Sequence, residues 1–115
     1  MKTKSYAALA AAAVLGVVLG AGSAAAQAQQ ESASGLALAQ QENCMSCHSV
    51  KRTFMGPALH DVAARYATLD DAPAYLKRKI LDGSVGVWGE VPMPANTQLT
   101  PDQAATLANW ILTLK

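Results

Sequence analysis

Cys44-Met45-Ser46-Cys47-His48 is the stretch on which the reading of this chain turns. Two thiols three positions apart, followed at once by an imidazole, form the C-x-x-C-H pattern through which c-type haem is attached. On a helical turn the two sulfurs and the ring can all reach one planar ligand. The thiols add across the haem vinyl groups as thioethers, and an imidazole nitrogen takes an axial position on iron. Other chemistries use the same residue types. A zinc site usually wants four protein ligands; the chain has two Cys and two His, with His60 away from finger spacing. A thioredoxin-like pair needs a βαβ setting, and a disulfide is the ordinary fate of two cysteines in an exported protein.

The N-terminus reads as an export signal. Met1, Lys2 and Lys4 give a basic start, Ala7 to Ala21 is uninterruptedly apolar, and Gly22 to Ala28 is rich in small residues. This is the three-part pattern of a secretory signal peptide with an A-x-A cleavage site. Cleavage is expected after Ala28, with Ala26 as the alternative, so that residues 1–28 are removed. The apolar core falls short of the roughly 20 residues a membrane-spanning helix needs. A retained anchor is the competing reading. After cleavage the remainder carries seven Lys or Arg against eight Asp or Glu. That near-neutral balance gives no support to nucleic-acid binding. A domain of this length buries a modest core and benefits from a covalent staple.

The rest of the chain predicts an all-α domain over residues 35–115, behind a polar leader at 29–34. A first helix is expected from Gly35 to about Met45, capped by Ser34. A second is expected from Pro57 to about Ala67, with Leu59, Val62 and Ala63 on one face. Asp71 and Pro73 open a third, which Gly83 closes. Thr100-Pro101-Asp102-Gln103 is a capping box for the last helix, whose stripe is Leu107, Ile111 and Leu114. Trp110 is expected to pack this helix across the first, near Gly35. Between the third and last helices, Ser84 to Leu99 is too rich in Gly and Pro for either regular element. So long a loop in so small a domain suggests a function, and a buried cofactor would supply one.

Met93 lies inside that loop, in Val91-Pro92-Met93-Pro94. Flanking prolines stiffen the backbone, so its thioether can be aimed at iron as a second axial ligand, which raises the reduction potential. The everyday role of a methionine is packing, and Met45 and Met55 are read as packing or surface residues. His60 is the rival axial ligand, on a helix expected on the same side as His48.

These motifs, with Gly56-Pro57-Ala58, Gly86-Val87-Trp88-Gly89, Met93-Pro94-Ala95-Asn96 and Leu107-Ala108-Asn109-Trp110-Ile111-Leu112, resemble a class I cytochrome c, in particular the small bacterial c-551 (c8) subtype. The resemblance spans roughly Gly35 to Lys115. It implies a small class I fold of about four helices and a long loop around one covalently bound haem c, held by Cys44 and Cys47. His48 would be the proximal iron ligand and Met93 the distal one. The Pro57 carbonyl would accept a hydrogen bond from the other ring nitrogen of His48. Asn96 would orient the Met93 sulfur, and Trp88 would donate to a haem propionate. Lys79 stands where relatives often have a propionate-facing arginine, and the two side chains are not interchangeable.

The resemblance points to a single-electron carrier without catalytic residues. With both axial positions filled by protein, substrate or oxygen has no place on the iron. The expected form is a periplasmic monomer shuttling between a quinol-oxidising complex as donor and a terminal reductase or oxidase as acceptor, with no membrane span after cleavage. The alternative is a haem c subunit or tethered module of a larger redox enzyme. A gas-binding or sensory haem protein would need an open distal site. Proteins of the four-helix cytochrome c′ type carry their haem motif near the C-terminus. Lys51, Arg52, Lys77, Arg78 and Lys79 are candidates for a partner-docking rim, or simply a solvated face.

Overall fold

The computed structural model describes residues 23–114; the basic and apolar parts of the expected signal peptide lie outside them. Four α-helices and one 3₁₀ turn follow in chain order: α1 (Ala24–Gln41), the turn Cys44–Ser46, α2 (Leu59–Tyr66), α3 (Ala72–Asp82) and α4 (Pro101–Thr113). Among the described residues there is no strand beyond a single antiparallel bridge between Ser84 and Met93. The fold is all-α.

α4 is the hub, packing against each of the other three helices. Its start follows the sequence closely. The Gln103 amide donates to the Thr100 hydroxyl at 3.2 Å, and the Thr100 amide donates to Gln103 Oε1 at 2.9 Å. The buried face runs through Ala104, Leu107, Ala108, Trp110 and Ile111. It meets Leu59 and Val62 of α2, Leu76 and Ile80 of α3, and Ala39 of α1 in one cluster. Leu107, 2 % exposed, lies at its centre. α1 crosses α4 where Gly35 has no side chain: a Cβ there would overlap the Trp110 ring. Close helix approach of this kind brings axes within the 8–10 Å of tight packing.

Three element boundaries differ from expectation. α1 starts at Ala24 and absorbs the stretch read as a polar leader, yet residues 23–34 are all exposed and burial begins at Gly35. Ala, Gln and Glu are strong helix formers, so the packed part of α1 propagates backwards without needing a core. Ser34 does not cap; its hydroxyl donates to the Glu31 carbonyl at 2.8 Å. α1 also stops short of the Cys44–His48 motif. Asn43 adopts φ 61°, a left-handed conformation that ends a helix, and the motif begins as a separate 3₁₀ turn. α2 starts two residues after Pro57, with Ala58 as its N-cap. The Pro57 carbonyl thereby stays outside the helical ladder.

Candidate functional site

Five parts of the chain converge on one cavity: the segment from Cys47 to Pro57, the inner faces of α2 and α3, the loop from Ser84 to Pro94, and Ile111 of α4. The cavity measures about 320 Å³ and is predominantly apolar. That size falls in the usual range for small-molecule and cofactor sites. Cys47, His48, Pro57, Lys79, Trp88 and Met93 all line it. Cys44 lines a smaller adjoining void, which shares His48 and Met93 with the main cavity.

His48 is the most constrained of these side chains. Its Nδ1 lies 2.8 Å from the Pro57 carbonyl, where a protonated Nδ1 donates to it. The ring nitrogen left as acceptor is then Nε2, the tautomer needed by a metal-ligating histidine. Gly56 makes this possible, since a Cβ there would come within 2.6 Å of the imidazole Cε1. The Gly56 amide is itself tied to the Cys47 carbonyl at 2.8 Å. The sequence that follows the motif therefore folds back to orient its own histidine.

Met93 is fixed by backbone pairing: its amide donates to the Ser84 carbonyl at 2.8 Å and its carbonyl accepts from the Ser84 amide at 3.0 Å. Asn96 has a partner other than the expected sulfur. Its Nδ2 donates to the Ile80 carbonyl at 2.8 Å, and its backbone amide donates to the same oxygen at 3.3 Å. It does not line the cavity; it clamps the end of the loop to the last turn of α3. A primary amide has a second N–H, so this contact leaves one donor uncommitted.

The two cysteines form no disulfide. Burial pushes the Cys44 thiol above its ordinary range; the Glu42 carboxylate adds to this, and a backbone hydrogen bond partly opposes it. A nucleophilic redox thiol has the opposite character, a depressed pKa in an electropositive setting. Among the described residues no group of three or more His, Cys, Asp or Glu side chains is placed to hold a metal ion. The four-ligand zinc reading thus lacks its ligands. His60 is exposed and sits 3.8 Å from the Asp61 carboxylate, away from the cavity lining. The donor set that does converge is two thiols, one oriented imidazole and one thioether around an apolar space. That set fits a covalently attached haem.

Of the five cations considered for a docking rim, only Lys79 lines the cavity. Its Nζ lies 5.5 Å from the Tyr75 ring centroid. Arg78 is exposed, 4.0 Å from the Asp71 carboxylate. An aromatic group on this side went unread in the sequence. Tyr66 and Tyr75 pack with centroids 4.9 Å apart and hydroxyls 3.5 Å apart, and Trp88 meets Tyr66 edge-on at 6.3 Å. Burial, then hydrogen bonding to the Tyr75 hydroxyl, raises the Tyr66 pKa. Tyr66 continues the stripe of Leu59, Val62 and Ala63 by one turn, so its inward position was legible from spacing. Met55, also on the lining, is 55 % exposed at the cavity edge.

Residues 32–115 match the sequence profile described as cytochrome c. The chain belongs to the cytochrome c family. Cytochrome c-552 of Nitrosomonas europaea is 54% identical over 78 residues, covering 68% of this chain and 76% of that one. Cytochrome c-551 of Ectopseudomonas mendocina is 51% identical over 83 residues, covering 72% and 100%. The crystal structure of the wild-type Nitrosomonas europaea cytochrome c552 superposes with a TM-score of 0.69 at 52% identity, over 70% of this chain and 99% of that one. This cytochrome is thus of the class I c-551 (c8) type, the class the sequence motifs suggested. It is an electron carrier rather than an enzyme, with one covalently attached haem c.

Proposed function

We propose that this cytochrome is exported, freed from residues 1–28 by cleavage after Ala28 or Ala26, and shuttles single electrons in the periplasm. Its donor is a quinol-oxidising complex and its acceptor a terminal reductase or oxidase. No helix among the described residues is long and apolar enough to cross a membrane.

Cys44 and Cys47 would hold the haem as thioethers, with His48 and Met93 as axial ligands. When bound, the haem supplies a one-electron ferric/ferrous couple. The observation that carries this reading is the His48–Pro57 contact of 2.8 Å beside a cavity that Met93 also lines. The contact fixes the tautomer and orientation of the ring. The Ser84–Met93 pair fixes the backbone that presents the thioether. A thioether favours ferrous iron and raises the potential. With both ligands held by backbone contacts, the protein reorganises little when the electron arrives or leaves. The predominantly apolar lining disfavours water at the site. Lys79 and Trp88 place a cation and an indole on the same lining, the positions from which haem propionates would be met.

The test is Met93→Ala. The variant is expected to lose the methionine-to-iron charge-transfer band, show a lower midpoint potential and bind exogenous ligands such as imidazole. An unchanged spectrum and potential would sink the axial assignment.

A further inference from the structure

The segment from Val85 to Pro92 supplies four residues to the cavity lining besides Pro92 itself: Gly86, Val87, Trp88 and Val91. Little holds it there. Val85 and Val91 are 77 % and 61 % exposed, so burial contributes weakly. Gly86 and Gly89 flank Val87 and Trp88 with φ of 75° and 121°, backbone conformations that leave the pair between two pliant hinges. Among the described residues the only hydrogen bond to the backbone of this segment comes from Arg65, whose Nη1 donates to the Val87 carbonyl at 3.0 Å. The same guanidinium lies over the Trp88 ring, 4.5 Å from its centroid. It also approaches the Tyr66 ring at 5.7 Å.

We propose that Arg65 is the positioning residue for Trp88: one guanidinium fork ties the backbone before the indole and covers the indole face, fixing the segment along the cavity. The chemistry favours arginine specifically. A planar guanidinium can stack on a ring while an in-plane N–H reaches a carbonyl, whereas an ammonium is a point charge that cannot do both. Arg65 stands in the last turn of α2, where any cation also suits the helix dipole. Lysine keeps that charge and loses the fork, so the two roles separate. The inference rests on the haem reading above, in which Trp88 donates to a propionate and offsets its negative charge.

The experiment uses the ferrous holoprotein and its R65K and R65M variants, measuring backbone order parameters by nitrogen relaxation and the midpoint potential. In the parent protein Val87, Trp88 and Gly89 should show order parameters near 0.85; in both variants they should fall below about 0.6. The potential should fall in both, because a propionate that loses its donor favours the more positive, oxidised iron. A segment that stays rigid in R65M, a full rescue by R65K, or a loosened segment at the parent potential would each overturn the assignment. The methionine-to-iron band of the parent protein is read on an aliquot of the same sample oxidised to the ferric state. Its absence would signal failure of the haem-ligand reading, whereas its presence with unchanged order parameters would refute Arg65 alone.

Discussion

Gly56 is where a single hydrogen atom in place of a methyl group decides the orientation of the His48 ring. The His48 ring passes so close that a Cβ would sit 2.6 Å from Cε1 and 2.9 Å from Nδ1, the nitrogen bonded to the Pro57 carbonyl. Gly56→Ala is therefore expected to push the imidazole off that carbonyl and to destabilise the protein by about 1–3 kcal/mol, the usual cost of overpacking. Proton NMR of the ring N–H checks the first effect and denaturant unfolding the second; a retained, slowly exchanging N–H would contradict it. The pentapeptide stood out because covalent attachment demands particular residue types at particular spacings, and the structure brings Met93 to the cavity that Cys47 and His48 also line. Arg65 was not legible: its partners Val87 and Trp88 lie more than twenty residues away, and nothing local distinguishes it from a solvated helix end. The Asn96 amide shows the same limit. Its residue type suggested a polar contact, but its partner, the Ile80 carbonyl, is set by how the loop meets α3.

Among the elements, α4 was the most readable and α1 the least. Capping chemistry is local, so Thr100 and Gln103 announced the start of α4 without tertiary help. Thr100→Ala removes one arm of the box and is expected to cost about 1 kcal/mol. In a domain of this size that corresponds to a melting-temperature drop of roughly 4–8 °C. A calorimetric scan in which the variant melts with the parent would refute it. For α1, composition permitted helix on both sides of Gly35, and no residue marks where packing begins except the one that lets Trp110 approach. Its end depends on Asn43 entering a left-handed conformation, which asparagine tolerates and sequence alone does not demand. The Gly/Pro-rich loop was correctly read as irregular. Its one regular contact, Ser84 with Met93, joins residues nine apart and needed the fold to appear.

At the scale of the whole molecule, helices α2, α3 and α4 and the long loop enclose a space that no protein side chain fills. At about 320 Å³ it has the size of a cofactor site, and a group seated there would cover the apolar lining and so act as part of the core. Replacing both proposed attachment residues, Cys44→Ala with Cys47→Ala, is expected to abolish covalent haem and with it the cooperative thermal transition followed by circular dichroism. A haem-free variant that melts at the parent temperature would show that the helices need no such support.

The central claim, that Cys44 to His48 carry one covalent haem closed by Met93, is tested most directly on protein purified from the periplasm of cells able to mature c-type cytochromes. Intact mass and pyridine haemochrome are read on the same sample, with the methionine-to-iron band recorded in the ferric state. The expected result is a chain beginning at Gln29 or Gln27, heavier than its polypeptide by one haem, with a bis-thioether haemochrome and the charge-transfer band present. A colourless protein at polypeptide mass would contradict the account.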